Sequence, residues 1–243
     1  MSLWQNAKPN YGIDAPREGL ITIILVIAGL GLGLGLHRSS SEAARTIASV
    51  ILALVPTGVI LILLMAYYVK VEKFRHRDRM LNMLSWRGDE RVLDIGTGRG
   101  LLMIGAARRL TTGQSIGIDI WRAQDLSHNS LIAAMMNAEL AGVGNKVEVR
   151  NADAREIPFP DRSFDCVLSN LCLHNIASRE GRAAACGEIA RVLKPGGVAL
   201  ISDFQHTEEY AQVFREHGME TTRSTSILLA PMLLRIVKAV RPN

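Results

Sequence analysis

The sequence predicts an α/β domain with a mostly parallel sheet, preceded by two helices long and apolar enough to span a bilayer. Three observations carry this. Two uncharged apolar runs, residues 19–36 and 46–69, occupy the first third of the chain. From residue 90 onward, short aliphatic segments alternate with helix-like ones, the pattern of a parallel sheet covered by helices. Between the first strand and its helix stands VLDIGTGRG, residues 92–100, whose glycines allow a tight turn at the strand's carboxyl end.

The chain has 243 residues, a formal charge of +5 and 21% charged residues, with a slightly positive mean hydropathy of +0.16. That combination suggests a membrane part joined to a soluble one. A span needs about 20 residues, so the second run suffices with some tilt and the first is near the lower limit. A cleaved signal peptide would be the plain alternative for the first run. Its flank is long and of mixed charge (Lys8, Asp14, Arg17, Glu18), and a second run follows at once. A buried soluble helix is a poor alternative for the second run, which has no polar face.

HRSSSEAAR, residues 37–45, links the runs, and Ser39 with Glu42 fits a capping box opening the second helix. A tight helical hairpin is expected. Gly29, Gly31, Gly33 and Gly35 form two small-residue stripes on helix one. They would admit helix two or a second copy of the chain, a route to a homo-oligomer. Pro56 and Gly58 are expected to kink helix two.

Lys70, Lys73, Arg75, Arg77 and Arg79 follow the second run, which argues that this end is cytoplasmic and, with two spans, the N-terminus too. Tyr67 and Tyr68 stand where interfacial aromatics are expected. The basic cluster and a pI near 9.4 fit anionic headgroups. Nucleic acid is the competing partner and is disfavoured, because no aromatics interleave with the bases. Residues 70–86 stay helix-compatible until Gly88 and Asp89 break the pattern. The expected division is an N-terminal cytoplasmic segment (1–18), a membrane hairpin (19–69), a basic helical stalk (70–89) and an α/β domain (90–243).

Within that domain, strands are expected over residues 91–95, 115–118, 146–150, 164–169 and 198–202, with two more near 220–227 and 233–240. Helices are expected after the glycine turn and over about 127–141, 178–193 and 208–217, the third ending at the turn KPGG. Asp94 is notable, since a buried strand has little use for an unpartnered carboxylate. The glycines read G-x-G-x-G and not the G-x-G-x-x-G of a dinucleotide fingerprint.

The acid–x–G–x–G–x–G form of Asp94, Gly96, Gly98 and Gly100 resembles motif I of the class I S-adenosylmethionine (SAM) dependent methyltransferases. SIGIDI, NADARE, SFDCVLSNLCLHNI and LKPGGVALISDF, in that order, resemble the family's later motifs. The resemblance covers residues 90–243, leaves the spans outside it, and leans toward small-molecule and quinone-type members. It implies a Rossmann-like seven-stranded sheet and SAM as cofactor. It places Asp119 at the ribose hydroxyls, Asp153 near the adenine amino group and Asn170 beside the methyl donor. Thr97, Ile120 and Ala152 complete the implied cofactor set. A helix cap for Asp119 and a loop cap for Asp153 remain the plainer readings. Asn170 is followed by Leu171 and Cys172, not the prolines of the amide and adenine N-methyltransferases, which lowers DNA and glutamine as substrates.

Cys166, Cys172 and Cys186 lack metal spacing and read as reduced, so no metal is expected and an arsenic-type thiolate site is disfavoured. The implied reaction moves a methyl group from an already activated donor, so positioning dominates. If a base is used, His174 is the best placed, with Asp203 and His206 second; a packing role for His174 competes. The domain carries no insertion that would make a substrate cover. The acceptor is therefore expected to be a hydrophobic small molecule or lipid arriving along the bilayer. A SAM-binding scaffold without catalysis, or a modifier of a membrane-associated macromolecule, are the alternatives.

Overall fold

The central strands form where β-branched and aliphatic residues are consecutive, because both of their faces are covered. In the computed structural model, which describes residues 8–14, 16–122, 124–224, 227–229 and 232–243, β1 (Arg91–Ile95) and β4 (Phe164–Asn170) lie side by side at the centre. Outward from β1 run β2 (Gln114–Asp119) and β3 (Val147–Asn151). Outward from β4 run β5 (Leu193–Asp203), β8 (Met232–Val240) and β6 (Glu220–Arg223). The first five strands are parallel, β8 runs antiparallel to β5, and β6, antiparallel to β8, again points the way of the first five. This is the seven-stranded class I methyltransferase sheet that the sequence predicts. The short β7 (Ile227–Leu229) pairs with the start of β8 off that path. The strand expected over 220–227 is thus divided, and its residues 225–226 lie outside the described residues.

Two apolar layers hold the sheet. On one face Leu93, Ile95, Ile116, Ile118, Val167 and Ile201 pack with α6 (Arg179–Val192) and α7 (Thr207–Glu216). On the other, Val92, Leu168 and Leu200 pack with α4 (Leu101–Ala107) and with Met80 and Leu81 of α3 (Lys73–Leu81). Burying a side chain of this size contributes roughly 1.5–3 kcal/mol. The KPGG segment is drawn into β5, not left as a separate turn. Pairing begins at Leu193 opposite Phe164, shifts register, and resumes at Val198 opposite Cys166.

The two apolar runs form α1 (Pro16–His37) and α2 (Glu42–Tyr67), packed along each other. The two glycine stripes separate by role. A Cβ on Gly33 would meet Leu52 at 2.7 Å, and one on Gly29 would meet Ile51 at 3.7 Å. Gly31 and Gly35 face away from α2, with nothing within 4 Å. Pro56 lies inside a helix that runs on to Tyr67, and Gly58 makes room for Val26.

Three local expectations need correcting. The cap of α2 is Ser41, whose hydroxyl accepts from Ala44 N, because the helix starts at Glu42; Ser39 instead accepts from Ser41 N in the turn. The helix expected to reach residue 86 ends at Leu81, where Trp86 turns back to donate to the Leu81 carbonyl. Between α2 and α3 the helix widens into a single π turn, Tyr68–Glu72. Such turns rotate the side chains that follow. Lys73, His76, Met80 and Leu81 all face the domain and are buried.

Candidate active site

Strand order reverses between β1 and β4, and the crevice outside their carboxyl ends is where such sheets bind ligands. A cavity of about 440 Å³ lies there, within the range of small-molecule sites. All ten cofactor residues implied by the sequence except Gly100 line it.

The loop is shaped by backbone geometry that only glycine adopts cheaply. Gly96 has φ +69°, and a Cβ there would sit 2.2 Å from Cys172 Sγ. Gly98 has φ +56°, and its Cβ would meet Leu126 at 2.8 Å. Gly100 caps α4 at φ +87° from behind the cavity.

Asp94 explains its own burial. Its Oδ2 accepts from Thr97 Oγ1 at 2.8 Å and from Met103 N at 2.9 Å, which ties the glycine loop to the first turn of α4. Burial outweighs these bonds and pushes its carboxyl up to about 7. Asp119 at the end of β2 accepts from Gly98 N (2.8 Å) and Trp121 N (2.7 Å), so its carboxylate is held in the cavity wall by two backbone amides. Asp153 is paired with Arg155, Nη2 to Oδ2 at 2.6 Å, which holds its carboxyl below the usual range.

At the other end, Asn170 closes β4. Among the described residues, its Oδ1 is buried without a well-formed hydrogen bond. The next residue, Leu171, is held at φ +54°, a strained conformation for a bulky side chain, and strain of this kind gathers at ligand sites. An open acceptor, a carboxylate at the end of β2 and a glycine loop between them are the polar groups a nucleoside with an amino-acid tail needs, so the residues fit SAM.

His174 and Asp203 come together but do not line the cavity. His174 Nδ1 is 2.8 Å from Asp203 Oδ1, its backbone N donates to Asp203 Oδ2 at 3.1 Å, and its ring stacks edge-on against Phe204. Asp203 is fully buried. This arrangement braces the loop after β4. His206 is a left-handed residue at the start of α7, 3.7 Å from Glu209.

The remaining wall comes from residues 8–14, which sequence reasoning missed, and from α3, the stalk that stands where a cover before the first strand is expected. Asn10 and Asn137 exchange two hydrogen bonds, and Ile13 and Ser127 exchange two more. Lys73 Nζ donates to the carbonyls of Tyr11 (3.2 Å) and Gly12 (2.6 Å) and lies 3.6 Å from Asp14. Tyr11, Asp14 and Lys73 all line the cavity. Burial works against both charges of the pair, raising Asp14 and lowering Lys73, and their attraction offsets part of it. Behind them His76 Nε2 is 2.7 Å from Ser202 Oγ, on the strand beside Asn170. Burial, with Arg79 adding to it, pushes His76 down to about 4, so it is a neutral imidazole. The signal for the inward face of this wall was a lysine and a histidine three apart in the segment read as a basic helical stalk. Only the π turn shows which way they face.

Residues 93–201 match the family described as a methyltransferase domain. A 27-O-demethylrifamycin SV methyltransferase of Amycolatopsis mediterranei is 36% identical over 134 residues, 54% of this chain and 44% of that one. A ubiquinone/menaquinone biosynthesis C-methyltransferase, UbiE, of Pseudomonas putida is 38% identical over 120 residues, 49% of this chain and 43% of that one. The chain thus spans less than half the length of these relatives. Among solved structures, a SAM-dependent methyltransferase from Aquifex aeolicus superposes with a TM-score of 0.53 at 19% identity, covering 68% of this chain and 88% of that one. The [4+2]-cyclase SpnF superposes with a TM-score of 0.58 at 20% identity, covering 70% and 80%. These last two speak for the fold alone. The matched stretch runs from β1 to β5 and carries the motifs in order, so this part of the chain is similar to SAM-dependent methyltransferase domains in sequence and the whole domain is similar to them in fold.

Proposed function

We propose that this protein is a membrane-anchored methyltransferase that transfers a methyl group from SAM to a hydrophobic small molecule or lipid dissolved in the bilayer. The single observation that carries this reading is the cavity wall made by residues 8–14 and α3. The elements flanking the two apolar helices complete the site, so the hairpin and the site form one unit.

When bound, SAM supplies a methyl group already activated on a sulfonium. The chain's own residues do the rest. Asp119 would accept from the ribose hydroxyls, Asp153 and Ile120 would border the adenine, and Asn170 Oδ1 would accept a donor at the amino-acid end. Asp94 and Thr97 hold the glycine loop in shape. Tyr11, Asp14 and Lys73 would keep water from the donor. His174, braced by Asp203, holds the loop after β4, and a base is needed only for an acceptor that must lose a proton. The two antiparallel spans start and end at the domain, which favours the N-terminus and the domain lying together on the cytoplasmic side.

The quinone and rifamycin relatives favour a lipophilic acceptor over nucleic acid. A SAM-binding protein that does not transfer methyl groups is the second reading, favoured by the cyclase with the same fold. The test is incubation of the full chain in vesicles with methyl-labelled SAM and a membrane lipid extract. Label in the organic phase is expected. Label confined to protein or RNA would move the acceptor elsewhere, and bound SAM without transfer would favour the second reading.

A further inference from the structure

We infer that the exposed face of α5 (Leu131–Leu140), with Ile13 beside it, is a second membrane contact that lays the mouth of the cavity against the lipid headgroups. This rests on the membrane reading of α1 and α2. It goes beyond that reading by naming a surface of the catalytic domain that meets the bilayer.

The residues are specific. Along α5, Ile132, Met135 and Met136 are 69%, 51% and 42% exposed, and Ile13 is 48% exposed. Positions i, i+3 and i+4 share one stripe of a helix. The opposite stripe, Ala134, Asn137 and Ala138, is buried against the domain. Glu139 is the one charged residue of α5, at its far end. A soluble helix normally turns its charges outward, and here the outward face is the apolar one.

Three features indicate that a lipid surface covers it. First, the face is continuous with the base of the hairpin. Ser127 shares two hydrogen bonds with Ile13, three residues before α1 starts at Pro16, and Ser130 caps α5 three residues after Ser127. The first turn of α1 lies close enough that Glu18 acts on Asp125. Second, Leu20, Ile21 and Ile24, on the first turns of α1 just beyond this junction, are exposed apolar side chains as well. Third, Arg17 and Arg122 are exposed beside this boundary, where cations meet anionic headgroups. Ile120, Leu126 and Asn129, in the segment leading into α5, line the cavity. An acceptor leaving the lipid there would meet the site without crossing bulk water.

Single cysteines carrying an environment-sensitive NBD dye test this in the full chain. The three native thiols are pushed up by burial, so an exposed cysteine reacts selectively near neutral pH. M135C reads the proposed contact, V50C reads the span, and Q212C, exposed on α7, reads the solvent. The protein is placed in vesicles of phosphatidylcholine and phosphatidylglycerol that contain doxyl-labelled lipid. A surface helix sits about 5–10 Å into the headgroup boundary. The dye at 135 should therefore lose most of its emission to a shallow doxyl label, and the dye at 50 to a mid-chain label. The dye at 212 should lose none. Quenching at 50 without quenching at 135 would overturn the docking face and leave the spans standing. No quenching at either position would remove the membrane reading itself. A blue-shifted but unquenched dye at 135 would mean that protein, such as a second copy, covers the face, and would also overturn the proposal.

Discussion

The hairpin and the sheet are both apolar, yet they use their apolar residues in opposite ways. In β1 and β2, Val92, Leu93, Ile95, Ile116 and Ile118 are buried between helical layers. In α1 and α2, Leu25, Ile27, Leu54 and Leu63 are more than half exposed, and only 6% of each apolar stretch is buried. The sheet buries its apolar residues within the domain, whereas those of the hairpin stay largely uncovered by the rest of the chain. The cavity lies where the two meet, with most of its polar groups on the sheet and part of its wall from residues flanking the two apolar helices. A contact there depends on both regions holding their relative position.

The largest break in this comparison is a chain that begins at Lys73. It keeps α3, the glycine loop, Asp119 and Asp153, so SAM binding by calorimetry should persist. It loses Tyr11, Asp14 and the spans. Because positioning is the main catalytic contribution, transfer to the proposed lipophilic acceptor should fall by about a hundredfold or more. Undiminished turnover would reduce the hairpin to a tether.

Next comes Asp119→Ala, which acts on the sheet side alone. Charge-assisted hydrogen bonds contribute roughly 1.5–3 kcal/mol each, so SAM affinity should drop by about tenfold to a hundredfold. Asp119→Asn keeps an acceptor for Gly98 N and should fall between. Calorimetry that finds Asp119→Ala unchanged would leave Asp119 as a loop cap.

A pH profile sharpens the comparison, since one buried group sits on each side. His76, lowered to about 4 from 6.5, binds its proton more readily in the unfolded chain, so it makes stability rise with pH between those values. Asp94, raised from 3.8 to about 7, binds its proton more readily in the folded chain, so it makes stability fall as pH rises over that range. The slopes oppose each other over most of one window, each at most about 1.4 kcal/mol per pH unit. Thermal unfolding of His76→Gln should show stability falling with pH between about 4 and 6.5. Asp94→Asn should show it rising. Two variants with the same slope as the parent would mean that neither group titrates there.

The smallest effect separates two adjacent readings of the hairpin turn. Ser41→Ala removes the cap of α2 and should cost about 1 kcal/mol of thermal stability in detergent. Ser39→Ala should cost much less, and the reverse order would restore the capping box at Ser39.

Most of the sheet was legible in the chain, because period, punctuation and the order of the motifs are local properties. The strands from β1 to β5, the glycine loop, and Asp119, Asp153 and Asn170 at the cavity all follow from such short-range patterns. The apolar character of α1 and α2 was equally plain. What the tertiary structure alone decided is direction. A single π turn rotates α3 so that Lys73 and His76 face inward, and no local pattern announces it. Residues 8–14 reach the cavity through bonds to Ser127 and Asn137, more than a hundred residues away. His174 was near in sequence to the end of β4, yet its contact with Asp203 turns it toward the loop and out of the cavity wall. Sequence spacing sets which residues are close along one element, and only packing between elements sets which way each side chain faces.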